Sequence, residues 1–363
     1  MKNNNYCIIM AGGVGSRFWP MSTPQKPKQF LDVLGIGKSL IQMTYERLLS
    51  ISPSENIFVV TNAAYAEIVK EQLPDLAYGQ ILTEPKRKNT APCIAYASAK
   101  IKALDPEATL VISPADHLII KENRFTEILN TAIEQANSDD RLVTLGIQPS
   151  RPDTGYGYIE FSAEKGIKAG EVTPVIQFRE KPDLITAEQF VQSGNFYWNS
   201  GIFVWKAKTI LNALQQFQPG LYDLFAGDPG FYNTSDEQTR INECFDRCED
   251  ISIDFAIMEH AKNVDVVLAD FDWSDLGTWG SLSEHLQKDE HNNSIIGDNA
   301  HLFNSSNCLV NIPSDKLVLL DGLNDYIVVE SENMLMVLKN ENEQELKNFL
   351  KIMETKSPRF FHY

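Results

Sequence analysis

The sequence predicts an α/β fold with a mainly parallel central sheet, followed by a small all-β module near its C-terminal end. Three observations carry this expectation. Through the first three-fifths of the chain, short β-rich runs alternate with amphipathic segments of helical spacing, the pattern of βαβ units. Between residues 150 and 290, further strand-like runs are mixed with helical ones. After His291-Asn292-Asn293 the chain changes to short apolar segments at close, even spacing, as a small solenoid requires.

Taken in order, residues 7–11 form an apolar run that ends in glycines. Residues 40–50 place Leu40, Ile41, Thr44 and Leu48 at helical spacing. Residues 56–61 are β-rich and precede a helical segment at 63–72. The Ala-rich stretch 90–103 reads as a helix, 109–113 as a buried strand, 124–136 as a helix and 142–147 as a strand. Residues 156–161, 173–181 and 200–205 are strand insertions. Then 301–303, 308–311, 316–320, 326–330 and 334–338 supply the β module, divided by turn residues such as Asp321-Gly322 and Asn324-Asp325. A helix over 343–353 is expected to close the chain. Parallel sheets bind ligands beyond the carboxyl ends of their strands, so the loops after Ala11 and Ser113 are where chemistry is expected.

The 363 residues are 43% hydrophobic and 22% charged, with 32 Lys and Arg against 49 Asp and Glu, a net charge of −17. That balance argues against a general nucleic-acid or anionic-membrane binder, which needs a basic face. It leaves room for an anionic small substrate held by a local cluster of cations. No basic start leads into an apolar stretch, so no secretory signal is expected. No run approaches the about 18 apolar residues of a membrane span. Five scattered cysteines predict reduced thiols and a cytoplasmic location. Cys244 and Cys248 would share a helix face, but without further ligands nearby they read as packed thiols.

Two phosphate motifs fail on spacing. In Gly13-Val14-Gly15-Ser16-Arg17-Phe18 a dinucleotide fingerprint would need glycine where Phe18 stands. Gly37-Lys38-Ser39 ends like a P-loop, but Asp32 occupies the position of its first glycine. What remains is a glycine turn after a strand, with Arg17 and then Lys28 close behind. Glycines let a backbone approach phosphates, and successive N–H groups make an anion nest. Lys26 is a second candidate two positions before Lys28; Pro27-Lys28-Gln29-Phe30 favours Lys28.

The segment AGGVGSRFWPMSTPQKPKQF, residues 11–30, resembles the signature of the sugar nucleotidylyltransferases, specifically the mannose-1-phosphate guanylyltransferase (GDP-mannose pyrophosphorylase) family. Five further segments resemble that family in order: Glu84-Pro85-Lys86-Arg87-Lys88-Asn89-Thr90-Ala91-Pro92, Ser113-Pro114-Ala115-Asp116-His117, Phe178-Arg179-Glu180-Lys181-Pro182, Trp198-Asn199-Ser200-Gly201-Ile202-Phe203, and Trp273-Ser274-Asp275-Leu276-Gly277-Thr278-Trp279. The resemblance covers residues 6–285. It implies a Rossmann-like nucleotidyltransferase domain over 1–288, and over 289–363 a short left-handed β-helix with a terminal helix. No long C-terminal cupin extension is seen, so the form expected is not the isomerase-fused one.

The reaction implied joins GTP to mannose 1-phosphate, giving GDP-mannose and pyrophosphate with Mg²⁺. The attacking phosphate oxygen is already ionised, so positioning and charge stabilisation are the whole task. By motif position, Gly12, Gly13, Gly15 and Ser16 would wrap the triphosphate, and Arg17 and Lys28 would neutralise developing charge. Asp116 and Asp275 would hold Mg²⁺, which takes one or two carboxylates plus phosphate oxygens and water. His117 is the poorer ligand, since Mg²⁺ favours oxygen. Glu84, Asn89 and Thr90 would meet base and ribose. Gly155, Glu180, Lys181 and Asn199 would meet the sugar phosphate, with Asp254 a further candidate. A homodimer through the β module is expected. Other readings are a nucleotidylyltransferase for another hexose or heptose 1-phosphate, or a non-catalytic sugar-nucleotide-binding paralogue. The presence of Arg17, Lys28, Asp116 and Asp275 together favours an enzyme. A dinucleotide oxidoreductase is disfavoured by the missing third glycine.

Overall fold

In a computed structural model, residues 4–13, 15–162 and 167–358 are described; Val14 of the glycine turn lies outside them. Strand β1 (Asn5–Ala11) pairs in parallel with β2 (Ile57–Asn62) and β4 (Thr109–Pro114), and β2 with β3 (Ile81–Glu84). Ile9 stands opposite Val59 on one side and Ser113 on the other. These strands are buried almost throughout, which is why they read as continuous apolar runs rather than alternating ones. Between them run α1 (Leu40–Leu48), α2 (Ala66–Gln72) and α3 (Thr90–Leu104). Every residue of α3 from Ala91 to Ile101 is buried. Its small Ala91, Ala95, Ala97 and Ala99 let a whole helix lie inside without crowding.

The chain continues through β5 (Leu118–Ile119), α4 (Glu122–Ser138), β6 (Leu142–Ile147), β7 (Tyr158–Phe161), β8 (Val172–Arg179), α5 (Leu184–Ser193) and β9 (Phe196–Lys206). Then come α6 (Ala207–Phe217), α7 (Pro219–Phe225), α8 (Glu237–Arg247), β10 (Val264–Ala269) and β11 (Trp273–Ser274). The nine-stranded sheet has the order β3-β2-β1-β4-β9-β6-β10-β8-β7. It is parallel from β3 to β4, as expected, and again between β6 and β10. Elsewhere it is mixed, with β9 antiparallel to both β4 and β6 and β8 antiparallel to both β10 and β7. Only residues 162–171 separate β7 from β8, fewer than the dozen or so that a parallel crossover needs. That connection forces an antiparallel return.

The described residues fall into two compact units. The first lies within Met1–Gly12, Thr44–Ala115 and Ile119–Trp273 and carries the large sheet. The second lies within Gly13–Met43, Asp116–Leu118 and Ser274–Tyr363. It holds the 3-10 turns Ser16–Phe18 and Lys28–Phe30, α9 (Trp279–Ser283) and the short strands β12 (Ser294–Ile296), β13 (Ala300–Phe303), β14 (Leu309–Asn311), β15 (Val318–Asp321), β16 (Tyr326–Ser331) and β17 (Met334–Lys339). Strands β12, β14 and β16 stack in parallel, as do β13 and β15, while β17 returns antiparallel on β16. This is the solenoid-like stacking that the even spacing predicts. The last helix, α10 (Leu346–Lys356), starts three residues later than expected, because Asn340–Glu345 forms a 3-10 turn.

Alternation along the stacked strands serves two cores. Leu309, Ile327 and Val329 join Phe18, Trp19, Trp279, Leu282 and Leu346 in one apolar cluster. Val310, Ile312 and Val328 point the other way into a second, smaller cluster with Cys308. Trp279 is fully buried, its ring 4.7 Å from that of Phe18, and its indole N–H donates to the Trp19 carbonyl at 3.3 Å. Replacing Trp279 by Ala is expected to cost about 3–5 kcal/mol of stability in urea unfolding. A loss below about 1 kcal/mol would contradict this packing.

Candidate active site

In the second unit the glycine turn closes on a lysine. Gly15 adopts a left-handed conformation, φ 68° and ψ 38°, and a Cβ there would collide with the Cβ of Lys28. Only glycine permits both. Gly13 has open space before its Cα, and its carbonyl accepts from Gln29 Nε2 at 3.0 Å. Arg17 sits in the turn Ser16–Phe18, anchored by the buried ring of Phe18.

Lys28 is only 4% exposed. Its Nζ donates to the Asp275 carbonyl at 2.7 Å and the Leu276 carbonyl at 3.0 Å, and lies 2.8 Å from Asp116 Oδ2. Three protein acceptors thus match the three N–H donors of an ammonium, which is what a buried cation requires. Lys26, by contrast, is exposed. Desolvation pushes the Asp116 carboxyl up, but Lys28, His117 and hydrogen bonds outweigh it and hold the group below its ordinary range. Its side chain keeps 31% exposure toward the cavity, and His117 Nε2 lies 4.0 Å from Oδ1. Asp275 Oδ1 accepts from the Gly277 N–H at 2.9 Å. A Cβ at Gly277 would sit 2.9 Å from Asp275 Oδ2, so a larger residue there would displace the end of that side chain.

Gly15, Ser16, Arg17, Lys28, Asp116 and Asp275 border one cavity of about 280 Å³. The structure therefore brings six of the expected site residues together. Lys347 of α10 borders the same cavity, and sequence reasoning missed it. It is the one cation on the edge of an otherwise ordinary amphipathic turn, far down the chain from every motif. A larger cavity of about 580 Å³, walled by Asp223, Arg240, Glu243 and Arg247, contains none of the expected residues.

The first unit holds two further clusters. A Cβ at Gly12 would lie 3.8 Å from Glu84 Oε2. Glu84 is 5% exposed, and its Oε1 has no hydrogen-bond partner among the described residues. Burial pushes its carboxyl up to about 7, against the opposing charge of Arg87. Asn89, at φ 66°, caps α3 by accepting from the Thr90 N–H at 3.0 Å. Thr90 Oγ1 accepts from the Ile253 N–H at 2.8 Å. Asn89 and Thr90 thus hold the start of α3, and Glu84 carries the open acceptor.

In the other cluster, Asn199 on β9 donates from Nδ2 to Asp254 Oδ1 at 2.8 Å and accepts from Thr144 Oγ1 at 3.1 Å. Lys181 Nζ lies 3.1 Å from Glu180 Oε1, and its backbone holds φ 46°. A Cβ at Gly157 would collide with Glu180 Oε2. Gly155 instead closes a turn on Asp153, its N–H donating to Oδ1 at 2.8 Å. Asp254 opens a π-helical turn, a form frequent at functional sites. Burial, and then the neighbouring Glu180 charge, push its carboxyl up to about 7. Glu180, Lys181, Asn199 and Asp254 form one polar group able to meet an anion and hydroxyls together.

A model of the nucleotidyl transferase family matches residues 6–292. The chain is 37% identical over 350 residues to mannose-1-phosphate guanylyltransferase of Klebsiella pneumoniae, covering 96% of this chain and 73% of that protein. It is 38% identical over 351 residues to the alginate biosynthesis protein AlgA of Pseudomonas aeruginosa, covering 96% and 72%. The crystal structure of mannose-1-phosphate geranyltransferase from Thermus thermophilus superposes with a TM-score of 0.85 at 28% identity, covering 97% of this chain and 99% of that one. These matches agree with a Rossmann-like α/β architecture.

Glu84 generates a stability prediction. A carboxyl whose pKa is raised on folding contributes stability at low pH that is lost as pH rises through the folded value, here about 7. The melting temperature of Glu84→Gln relative to wild type is expected to climb by several degrees between about pH 5.5 and about pH 8.5. A difference that stays constant across that range would contradict the burial of an unpartnered carboxyl.

Proposed function

The chain belongs to the nucleotidyl transferase family, and from that premise we propose that it is a mannose-1-phosphate guanylyltransferase. It transfers GMP from GTP to mannose 1-phosphate, releasing pyrophosphate and forming GDP-mannose. The carrying observation is the cavity where a glycine turn and Arg17 meet Asp116 and Asp275. The activity named for the relatives supports the substrates.

An oxygen of the sugar phosphate attacks the α-phosphorus, and the bond from that phosphorus to the bridging oxygen of pyrophosphate breaks. No side chain has to take a proton. Gly13, Gly15 and Ser16 offer backbone and hydroxyl contacts to the phosphates, and Arg17 offsets the charge of the leaving group. Lys28 keeps the Asp116 carboxylate and the Asp275 backbone in register. Asp116 and Asp275 would hold Mg²⁺. Their hard oxygens suit it and both border the one cavity, the remaining positions falling to phosphate oxygens and water. When bound, that ion supplies charge neutralisation on the phosphates.

Glu84, near Gly12, presents an acceptor suited to the N–H donors of guanine's ring edge; Asn89 and Thr90 shape the loop beside it. Lys181 takes the sugar phosphate. Glu180 and Asn199, with Asp254, take the sugar hydroxyls, and Gly155 shapes the turn before them. The proposed catalytic domain spans residues 1–288. The proposed second domain, 289–363, is a left-handed β-helix module with a terminal helix, α10; the module's exposed Phe303, Leu317 and Leu319 favour contact with a second copy. No described helix is long and apolar enough to cross a membrane. Five unbridged, buried cysteines support a cytoplasmic setting.

A panel of nucleoside triphosphates and sugar 1-phosphates, read by pyrophosphate release, tests the proposal. GTP with mannose 1-phosphate is expected to give the highest kcat/KM; another pair exceeding it about tenfold would overturn the specificity. Asp275→Ala is expected to lower kcat/KM about 10²–10³-fold with the circular dichroism spectrum unchanged. Near-normal turnover in that variant would remove Asp275 from the ion site.

A further inference from the structure

Lys347 is held at the polyphosphate cavity by the packing of its own helix. Leu346, 3% exposed, is buried in the cluster that contains Phe18 and Trp279, and Leu350 packs against the same cluster one turn later. Just upstream, Glu343 Oε1 accepts from the Gly280 N–H at 2.7 Å, tying the preceding 3-10 turn to α9. Helix α10 also rests on the turn Ser16–Phe18. With the helix fixed along one side, Lys347 borders the cavity that Arg17, Lys28 and Asp116 share.

The charges in that cavity are not balanced. Lys28 is fully engaged by protein acceptors. Among the described residues, no carboxylate forms an ion pair with Lys347 or Arg17. Glu343, which feels the charge of Arg17, accepts from the Gly280 N–H, and burial raises its pKa. Arg17 and Lys347 repel each other enough to lower the Lys347 pKa, with burial and Lys351 adding to it. In that cavity Arg17, Lys28 and Lys347 outnumber Asp116 and Asp275, and an excess of cations is costly in a free protein and favourable around a polyanion. The outer two phosphates of a nucleoside triphosphate carry most of its charge and become the leaving pyrophosphate. They are the part of the substrate that such a pair matches.

We propose that Lys347, supplied by the C-terminal helix, is a phosphate-binding cation that acts with Arg17 on the pyrophosphate end of the nucleotide. This rests on reading the cavity as the nucleotide's polyphosphate site. Residue 347 lies outside the 6–292 span of the family match, so the module contributes directly to the site.

Titration of the full chain with magnesium pyrophosphate alone reads this contact without sugar or base. Lys347→Ala is expected to weaken binding about tenfold, and Lys347→Arg to restore it to within about twofold of wild type. Lys356→Ala, which removes the same charge at the far end of α10, is expected to leave binding unchanged. In turnover, Lys347→Ala raises KM for GTP, and for pyrophosphate in the reverse direction, while KM for mannose 1-phosphate holds. Equal pyrophosphate affinity in wild type and Lys347→Ala overturns the inference and leaves the guanylyltransferase reading standing. A wild type that binds pyrophosphate through Lys347 but prefers another nucleotide and sugar overturns that reading and leaves the inference. A wild type that binds no pyrophosphate overturns both.

Discussion

A single buried ammonium organises the cavity beside the glycine turn. Lys28 places its three N–H donors on the carboxylate of Asp116 and on the carbonyls of Asp275 and Leu276. A charge this deeply buried is tolerated only when every donor is satisfied, so the loops carrying the two aspartates are fixed by the demand of one side chain. The glycines follow from the same constraint. Gly15 must lack a Cβ to let Lys28 pass, while the Asp275 carboxylate folds back to accept from the Gly277 N–H of its own loop. The motif is therefore a steric permission around a cation as well as the proposed set of phosphate contacts.

The clusters around Glu84 and Asp254 work on a different principle. Glu84 and Asp254 are carboxyls raised by burial to about 7, one with an oxygen unpartnered among the described residues and the other beside Glu180. Such groups weaken the free protein near neutral pH. Polar groups of this kind favour a ligand that supplies the missing donors, and reject one that leaves them unpaired. Guanine and a hexose both present donors of that type.

Much of this was legible in the sequence because the signals were local. Strand β6 falls on the residues that its apolar run marks, and α3 begins at Thr90 as its Ala-rich pattern requires. The loops after Ala11 and Ser113 carry Gly15, Arg17 and Asp116 because open sheets place ligands at strand ends. What was not legible depends on distance. Nothing near Lys28 says that its ammonium will meet the Asp275 carbonyl 247 positions away. The mixed half of the sheet hid for the same reason: the direction of β9 depends on long-range pairing, while its residues alternate no differently in either direction. Lys347 was invisible because an isolated lysine beside a buried leucine looks like any helix surface until the helix is docked.

The account centres on nucleoside polyphosphate bound at the cavity that Lys28 organises. A crystal structure with a non-hydrolysable GTP analogue and Mg²⁺ tests this most directly. The account predicts phosphates against Gly15 and Arg17, with one ion bound by both Asp116 and Asp275. Phosphates lodged instead in the larger cavity beside Arg240 and Arg247, with the Lys28 cavity holding only water, would contradict it.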